Sequence, residues 1–350
     1  MRIAQIMLGK GFGGAERSFV DLCAALTNRG HDVLAICEQR SQSLQHLEAI
    51  HGIKCRAIKV HGPWDYFARR AVRSLLREFR PSIAQAHLAR AAALGGGAAR
   101  DLGVPTIAKT HNYVKLKYYR SIDHLVATTT KQCAYLKDSG ITEKNISHIP
   151  NFSSIAPSPR RMEPFEGRLN VVAVGRLVHK KGFDLLLEAV AEVHRMGDRI
   201  HLSLAGDGPE MGALVEHARE LQIADHVSFL GWQNAVKDCL AKADIFVLPS
   251  RDEPFGIVVL EAMALNVPVV ATRTDGPLEM LDDNTALLVD REDVAGLSAA
   301  LREVAGDFSA ALMRADRAQR RFKERYSEGV VVARYEALYD SLIDRPIDVG

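Results

Sequence analysis

Short, largely apolar runs alternate with longer amphipathic stretches along nearly the whole chain. Residues 3–8, 33–37, 55–60, 83–86, 106–108 and 124–127 are such runs. Most of them lack polar alternation, as strands buried on both faces of a parallel sheet do, and the helical-period stretches between them supply the crossovers. Residues 151–161, Asn-Phe-Ser-Ser-Ile-Ala-Pro-Ser-Pro-Arg-Arg, break the pattern and predict a linker. Alternation restarts at 169–174 and continues through 200–205, 227–230, 245–248, 267–271 and 286–289, and 294–343 reads as helix. A chain of 350 residues exceeds one hydrophobic core. The pattern predicts an α/β protein of two Rossmann-like, doubly wound parallel-sheet domains in series, with a ligand crevice between them.

Composition adds exclusions. At 47% hydrophobic and 25% charged residues the chain is an ordinary globular protein rather than a disordered one. Cys23, Cys37, Cys55, Cys133 and Cys239 have no metal-ligand spacing and read as reduced thiols of a cytosolic protein. The opening apolar run is too short for a signal peptide, and no later run is long enough to span a bilayer, so the expected location is cytoplasmic. Charge is unevenly spread: of 45 Lys and Arg and 43 Asp and Glu, residues 1–150 hold 22 and 11. That surplus predicts an anionic partner for the first domain. Arg69, Arg73, Arg77 and Arg80 recur at helical spacing opposite Val72, Leu75, Leu76 and Phe79. This stripe reads either as a solvated face or as a contact for an anionic membrane surface or acceptor, which would make the protein peripheral at the inner face of the membrane. Nucleic acid is not expected, because no aromatics interleave the basic residues and no nucleic-acid module is present.

The chemistry concentrates at predicted strand ends. Glu253 follows a buried strand and Glu261 lies two turns into the apolar helix predicted over 255–265. A carboxylate inside such a helix is costly unless something hydrogen-bonds it, and a pair of ligand hydroxyls would serve. Four other constellations stand where phosphates bind: Gly9-Lys10-Gly11-Phe12-Gly13-Gly14, Gly175-Arg176 through Lys181-Gly182, Gly206-Asp207-Gly208, and Phe255-Gly256-Ile257. Arg and Lys together suit a diphosphate. The first also satisfies the dinucleotide fingerprint through Gly9, Gly11 and Gly14, with Glu38 ending the next strand where a ribose-binding acid would stand.

Glu253 with Glu261, the Gly175–Gly182 run, Gly13-Gly14-Ala15-Glu16 and His111 together resemble the retaining glycosyltransferases of family 4, in family order over nearly the whole chain. The resemblance implies the GT-B fold. Its domains would be 1–160 for the acceptor, 161–325 for a nucleotide diphosphate sugar, and 326–350 as a helix returning to the first domain. It implies that Arg176 and Lys181 neutralise the departing diphosphate and that Glu253 and His111 hold the donor sugar. Glu261 would bind the ribose, while Gly13, Gly14, Gly208, Phe255, Gly256 and Ile257 would line the donor site. It implies no cofactor and no metal, and no Asp-x-Asp pair stands at a plausible site. The acceptor would be a cell-surface glycan or glycolipid precursor such as lipopolysaccharide or exopolysaccharide. Two other classes stay open: an NAD-dependent oxidoreductase using Gly9, Gly11, Gly14 and Glu38, and a non-catalytic nucleotide-sugar binder. The sequence departs from the family at Asp275-Gly276-Pro277-Leu278-Glu279, where many relatives carry a Gly-Gly pair, and at Ala286, where glycine is common.

Overall fold

The computed structural model describes residues 1–62, 64–159, 167–233 and 235–344. The chain forms two compact units, one from Met1–Phe152 together with the C-terminal helix beginning at Glu328, the other from Ser153–Ser327.

The first unit is a seven-stranded sheet: β1 (Arg2–Met7), β2 (Asp32–Glu38), β3 (Lys54–Ile58), β4 (Ile83–His87), β5 (Thr106–Lys109), β6 (His124–Ala127) and β7 (Ile146–His148). Every pair is parallel, in the order β3-β2-β1-β4-β5-β6-β7. The order reverses between β1 and β4, which opens a crevice at their carboxyl ends. The second unit has six parallel strands, β8 (Leu169–Val174), β9 (Ile200–Ala205), β10 (Val227–Gly231), β11 (Ile245–Leu248), β12 (Val269–Thr272) and β13 (Leu287–Val289), in the order β10-β9-β8-β11-β12-β13. Its switch point lies between β8 and β11. In both units the central strands are buried on both faces, as their mostly apolar sequences require, and the polar residues they bury in the first unit, Gln5, Gln85 and His87, hydrogen-bond one another.

Three features differ from the sequence reading. Strand β7 was not expected: Ile146, Ser147 and His148 are all half-buried at the sheet edge, so neither period is legible in them. The segment read as a linker is tied down instead. Asn151 accepts a hydrogen bond from Ser18 at 2.8 Å, Phe152 packs in the core of the first unit, Ser153 bridges Ser327, and the Ser158 amide donates to Ala264. Arg160 and Arg161 lie outside the described residues. The arginine stripe, finally, is only in part a free cationic face. On helix Tyr66–Phe79, Arg69 is held by Asp101 at 2.8 Å and by the Gly97 carbonyl, and Arg73 is half-buried. Only Arg77 and Arg80 are exposed, Arg80 as the left-handed cap of the helix.

Helix Glu328–Ile343 completes the first unit. Val331, Val332, Tyr335 and Tyr339 are fully buried in the same cluster as Ile3, Phe19, Leu22 and Leu26. Glu336 clasps Arg29 at 2.6 Å and His31 at 2.8 Å on the rim. All five cysteines are free, and burial pushes the Cys37 thiol up to about 12, so it is inert as a nucleophile. Among the described residues no helix is long and apolar enough to cross a membrane.

Candidate active site

In the second unit the strand-end loops at the switch point are locked backbone to backbone. The loop after β8 runs from Gly175 to Gly182 through a short helical turn at His179–Lys181. Its Gly175 amide donates to the Ala205 carbonyl at 3.0 Å and its Leu177 amide to Asp207 at 2.9 Å. A Cβ at Gly206 would stand 1.8 Å from the Gly175 carbonyl oxygen, and one at Gly208 would stand 2.2 Å from that of Leu177. On the other side, Arg251 and Asp252 donate their amides to Lys180, and a Cβ at Gly182 would meet the Pro249 carbonyl oxygen at 2.1 Å. The glycines here permit contact between loops whose carbonyls leave no room for a side chain.

This packing brings Lys181 and Glu253 into a direct ion pair from two different loops, with side chains only 17% and 8% exposed. Arg176 stands exposed on the same loop as Lys181 and makes no ion pair among the described residues. After Glu253 the chain passes through buried Phe255 and left-handed Gly256 (φ 86°) into helix Ile257–Ala264. The helix is shorter than predicted because Gly256 caps it. Its first amides and the Lys181 ammonium therefore border one loop cluster, an arrangement suited to an anion. Glu261 is fully buried in this helix. The divergent Gly276 is needed where it is, since its Cβ would fall 2.1 Å from the Phe255 carbonyl oxygen, and its amide donates to Glu253 at 2.9 Å.

In the first unit, His111 follows β5 in a left-handed conformation (φ 48°), rare for a non-glycine residue, and is 9% exposed. Its Nε2 lies 3.1 Å from Nδ1 of His87, the last residue of β4. His87 Nε2 meets the Gln5 amide oxygen at 2.8 Å, and Gln5 in turn donates to the Tyr339 hydroxyl, which donates to Gln85 at 2.6 Å. Burial, reinforced by the Lys109 charge, pushes both imidazoles well below their usual pKa, so both are neutral at pH 7. The Gln5 oxygen at 2.8 Å outweighs the Gln85 amide nitrogen at 3.3 Å from the same Nε2, so His87 carries its proton there and accepts at Nδ1 from His111. The His111 Nδ1 is left as an acceptor. Gly13 caps helix Gly14–Asn28, its amide donating to Glu16 at 3.1 Å, and a Cβ at Gly14 or Gly11 would meet nothing within 4 Å.

Two family models divide the chain: one described as Glycosyl transferases group 1 matches residues 157–321, and one described as Glycosyltransferase Family 4 matches residues 12–155. Over 97% of its length the chain is 30% identical to the lipopolysaccharide core biosynthesis glycosyltransferase LpsE of Rhizobium meliloti (strain 1021), spanning 99% of that protein. The chain belongs to glycosyltransferase family 4. LpsD of the same organism, also a lipopolysaccharide core biosynthesis glycosyltransferase, is 30% identical over 97% of the chain and 98% of its own length. The fold is that of Anabaena Alr3699/HepE in complex with UDP (TM-score 0.85, 19% identity, 98% of this chain and 100% of that one). It is also that of WaaG, a glycosyltransferase involved in lipopolysaccharide biosynthesis (TM-score 0.72, 18% identity, 98% and 100%). The GT-B fold implied by the motifs holds.

Membership in this family overturns the oxidoreductase alternative, and the geometry agrees. A dinucleotide fingerprint spends its last glycine on close helix–strand packing, whereas the space beside Gly14 is open. Glu38 is buried, its carboxylate taken by the Arg40 amide at 2.7 Å. The sequence reading missed His87 and Tyr339, and it took Gly206 only as part of a turn where a phosphate binds and Gly276 only as part of a departure from the family. A second histidine closing the strand beside that of His111 was the available hint for His87, since Lys109 and His87 are register partners.

The glycosyltransferase also buries Lys109 completely beside His87 and His111, with its ammonium donating to Ser18 at 2.9 Å. Burial lowers its pKa to about 7, Asp21 acting against the shift. From about pH 7 to 10 the unfolded chain therefore binds more protons at this lysine than the folded one, and this residue makes stability rise with pH. Lys109→Met is expected to remove that slope. The stability of the variant relative to wild type, read from denaturant unfolding, falls as pH is raised through this window. A difference independent of pH would show that the buried lysine is not perturbed.

Proposed function

We propose that this glycosyltransferase moves a hexose or N-acetylhexosamine from a UDP-sugar to a cell-surface glycan or glycolipid precursor, with retention and without a metal ion. The observation that carries the reading is the Lys181–Glu253 pair held at the β8/β11 switch point beside the amino end of helix Ile257–Ala264. On this reading Lys181 and Arg176 face the diphosphate. Fixed cations aimed at charge that grows as the glycosidic bond breaks are a large catalytic effect, and they supply what a metal would. Glu253, oriented by Lys181, accepts hydrogen bonds from donor-sugar hydroxyls, and His111 Nδ1 accepts another. Glu261 takes the ribose hydroxyls. Gly208 and the Phe255-Gly256-Ile257 backbone shape the donor pocket, and Gly13 and Gly14 leave their own backbone open to a phosphate. The transition state is oxocarbenium-like, and the departing phosphate accepts the acceptor proton on the same face, with no protein nucleophile. Relatives named for lipopolysaccharide core biosynthesis support an acceptor of that class; on this reading the protein works in the cytoplasm, peripheral at the inner face of the membrane.

Thermal unfolding in excess chelator with UDP, GDP, ADP or NAD tests the donor site. UDP is expected to raise the melting temperature, corresponding to about 3–4 kcal/mol at 100- to 1,000-fold excess over Kd, and Glu261→Gln to abolish the rise. Stabilisation by GDP or ADP instead would change the donor base. A response to NAD alone, or a response only when a divalent metal is restored, would sink the reading. The anomeric coupling constant of the product, read by NMR, decides retention.

A further inference from the structure

Three large aromatic side chains within four residues face solvent on the first unit. Trp64 is 71% exposed, Tyr66 68% and Phe67 80%. Single exposed apolar residues need no explanation, but three adjacent rings at this level mark a surface built to meet something. They are not stray core residues, since the same helix buries Ala68, Val72, Leu76 and Phe79 on its opposite side. Trp64 lies 5.9 Å from Tyr118, whose ring lies 5.0 Å below the Lys117 ammonium, and Tyr66 packs edge-on to Phe67. Arg70, exposed, stands one helical turn after Tyr66 and Phe67 and so shares their face.

We propose that this aromatic and basic patch seats the protein on an anionic bilayer surface, with Trp64, Tyr66 and Phe67 entering the headgroup region and Arg70 and Lys117 meeting lipid phosphates. Rings with one polar edge favour the membrane–water interface, and flanking cations are drawn to anionic headgroups. Such rings and arginine also serve protein–protein interfaces, but lysine is depleted there, and the two exposed cations, Arg70 and Lys117, match an anionic headgroup layer. The acid within the patch, Asp65, is occupied as the helix cap by the amides of His61 and Ala68 at 2.9 and 3.0 Å. The patch widens the membrane contact: in the arginine stripe Arg69 is tied to Asp101 while Arg77 and Arg80 stay exposed, and the aromatics, which the sequence reading passed over, carry the apolar part. Trp64 follows β3 and Lys117 follows β5, so both stand at the carboxyl edge of the sheet that carries His111. An acceptor embedded in the bilayer would be presented to that edge, so the purpose of the patch rests on the proposed acceptor class, although lipid binding itself does not.

Sedimentation of the full chain with vesicles of phosphatidylcholine, alone or mixed with phosphatidylglycerol, tests the proposal. Binding is expected only to the anionic vesicles and is expected to weaken with salt. The triple change Trp64→Ala, Tyr66→Ala, Phe67→Ala lowers it at least about tenfold, while the thermal response to UDP stays unchanged. In a Trp232→Phe background, the Trp64 emission shifts to the blue on vesicle addition. Failure to sediment, or a triple variant that binds like wild type, overturns the proposal. So does a triple variant whose only change is lost self-association in analytical ultracentrifugation, or a Trp64 emission that responds to lipid-free glycan and not to vesicles. Vesicle binding without any nucleotide response would leave this proposal standing and remove the donor reading.

Discussion

Replacing Lys181 with alanine is expected to lower kcat for sugar transfer about 100- to 1,000-fold, the range seen when one fixed group stabilising transition-state charge is removed. The structure makes the effect larger than loss of a single cation. Lys181 is paired with Glu253, whose side chain is 8% exposed, so the variant also leaves a nearly buried carboxylate uncompensated. Breaking a fully buried pair from one side costs about 3–5 kcal/mol, and the partial exposure of Lys181 puts this case at or below that range. A cycle with Glu253→Gln separates the two contributions. If Lys181 acts partly by orienting Glu253, the double variant loses less than the two singles predict, with a coupling of about 0.5–3 kcal/mol. Denaturant unfolding of the same proteins shows how much of the loss is stability. A fall of less than about tenfold in kcat, with no coupling, would place the pair outside the chemistry.

Two glycines four positions apart are expected to respond to alanine with opposite signs. At Gly208 the new Cβ would stand 2.2 Å from the Leu177 carbonyl oxygen and 2.8 Å from the Leu177 amide nitrogen, both backbone atoms that cannot swing away. The Gly175–Gly182 loop must shift, at a cost of about 1–3 kcal/mol or more, and Arg176 and Lys181 move with it. Gly208→Ala is therefore expected to destabilise the second unit and to weaken UDP binding by at least tenfold, about 1.4 kcal/mol. At Gly212, inside helix Met211–Glu220, a Cβ meets nothing within 4 Å, so Gly212→Ala should gain about 0.5–1 kcal/mol from reduced unfolded-state freedom, with UDP affinity unchanged. Thermal unfolding with and without UDP reads both. Equal effects at the two sites would mean that the loop contact does not position the donor site.

The central strands of both sheets were legible because burial on both faces leaves mostly apolar runs, and the candidate residues were legible because they cluster just beyond those runs. Strand β7 was invisible for the converse reason: three half-buried residues at an edge carry no period. The arginine stripe shows how far periodicity reaches. Spacing placed Arg69 on one face with Arg73 and Arg77, but only the fold brings Asp101 to it. Trp64, Tyr66 and Phe67 were missed because an aromatic in sequence is read as core by default, and exposure is a property of neighbours. His87 could have been suspected as the residue closing the strand next to that of His111. Its tautomer could not, since it depends on Gln5 and, through it, on Tyr339, 334 residues away from Gln5.

That last contact has a consequence for how the protein is born. The second unit is one continuous stretch of chain, whereas the first is interrupted by it and is completed only by helix Glu328–Ile343. At about 5–20 residues per second of synthesis, the ribosome takes roughly 10–40 s between finishing Phe152 and delivering the tyrosines that seal the first sheet. During that interval the slots for Tyr335 and Tyr339 lie open and the His87 network lacks its anchoring hydroxyl, while the later-made unit can already close. The part of the protein translated first is thus the last to mature, and nascent chains stalled anywhere before Glu328 are the ones that chaperones should hold.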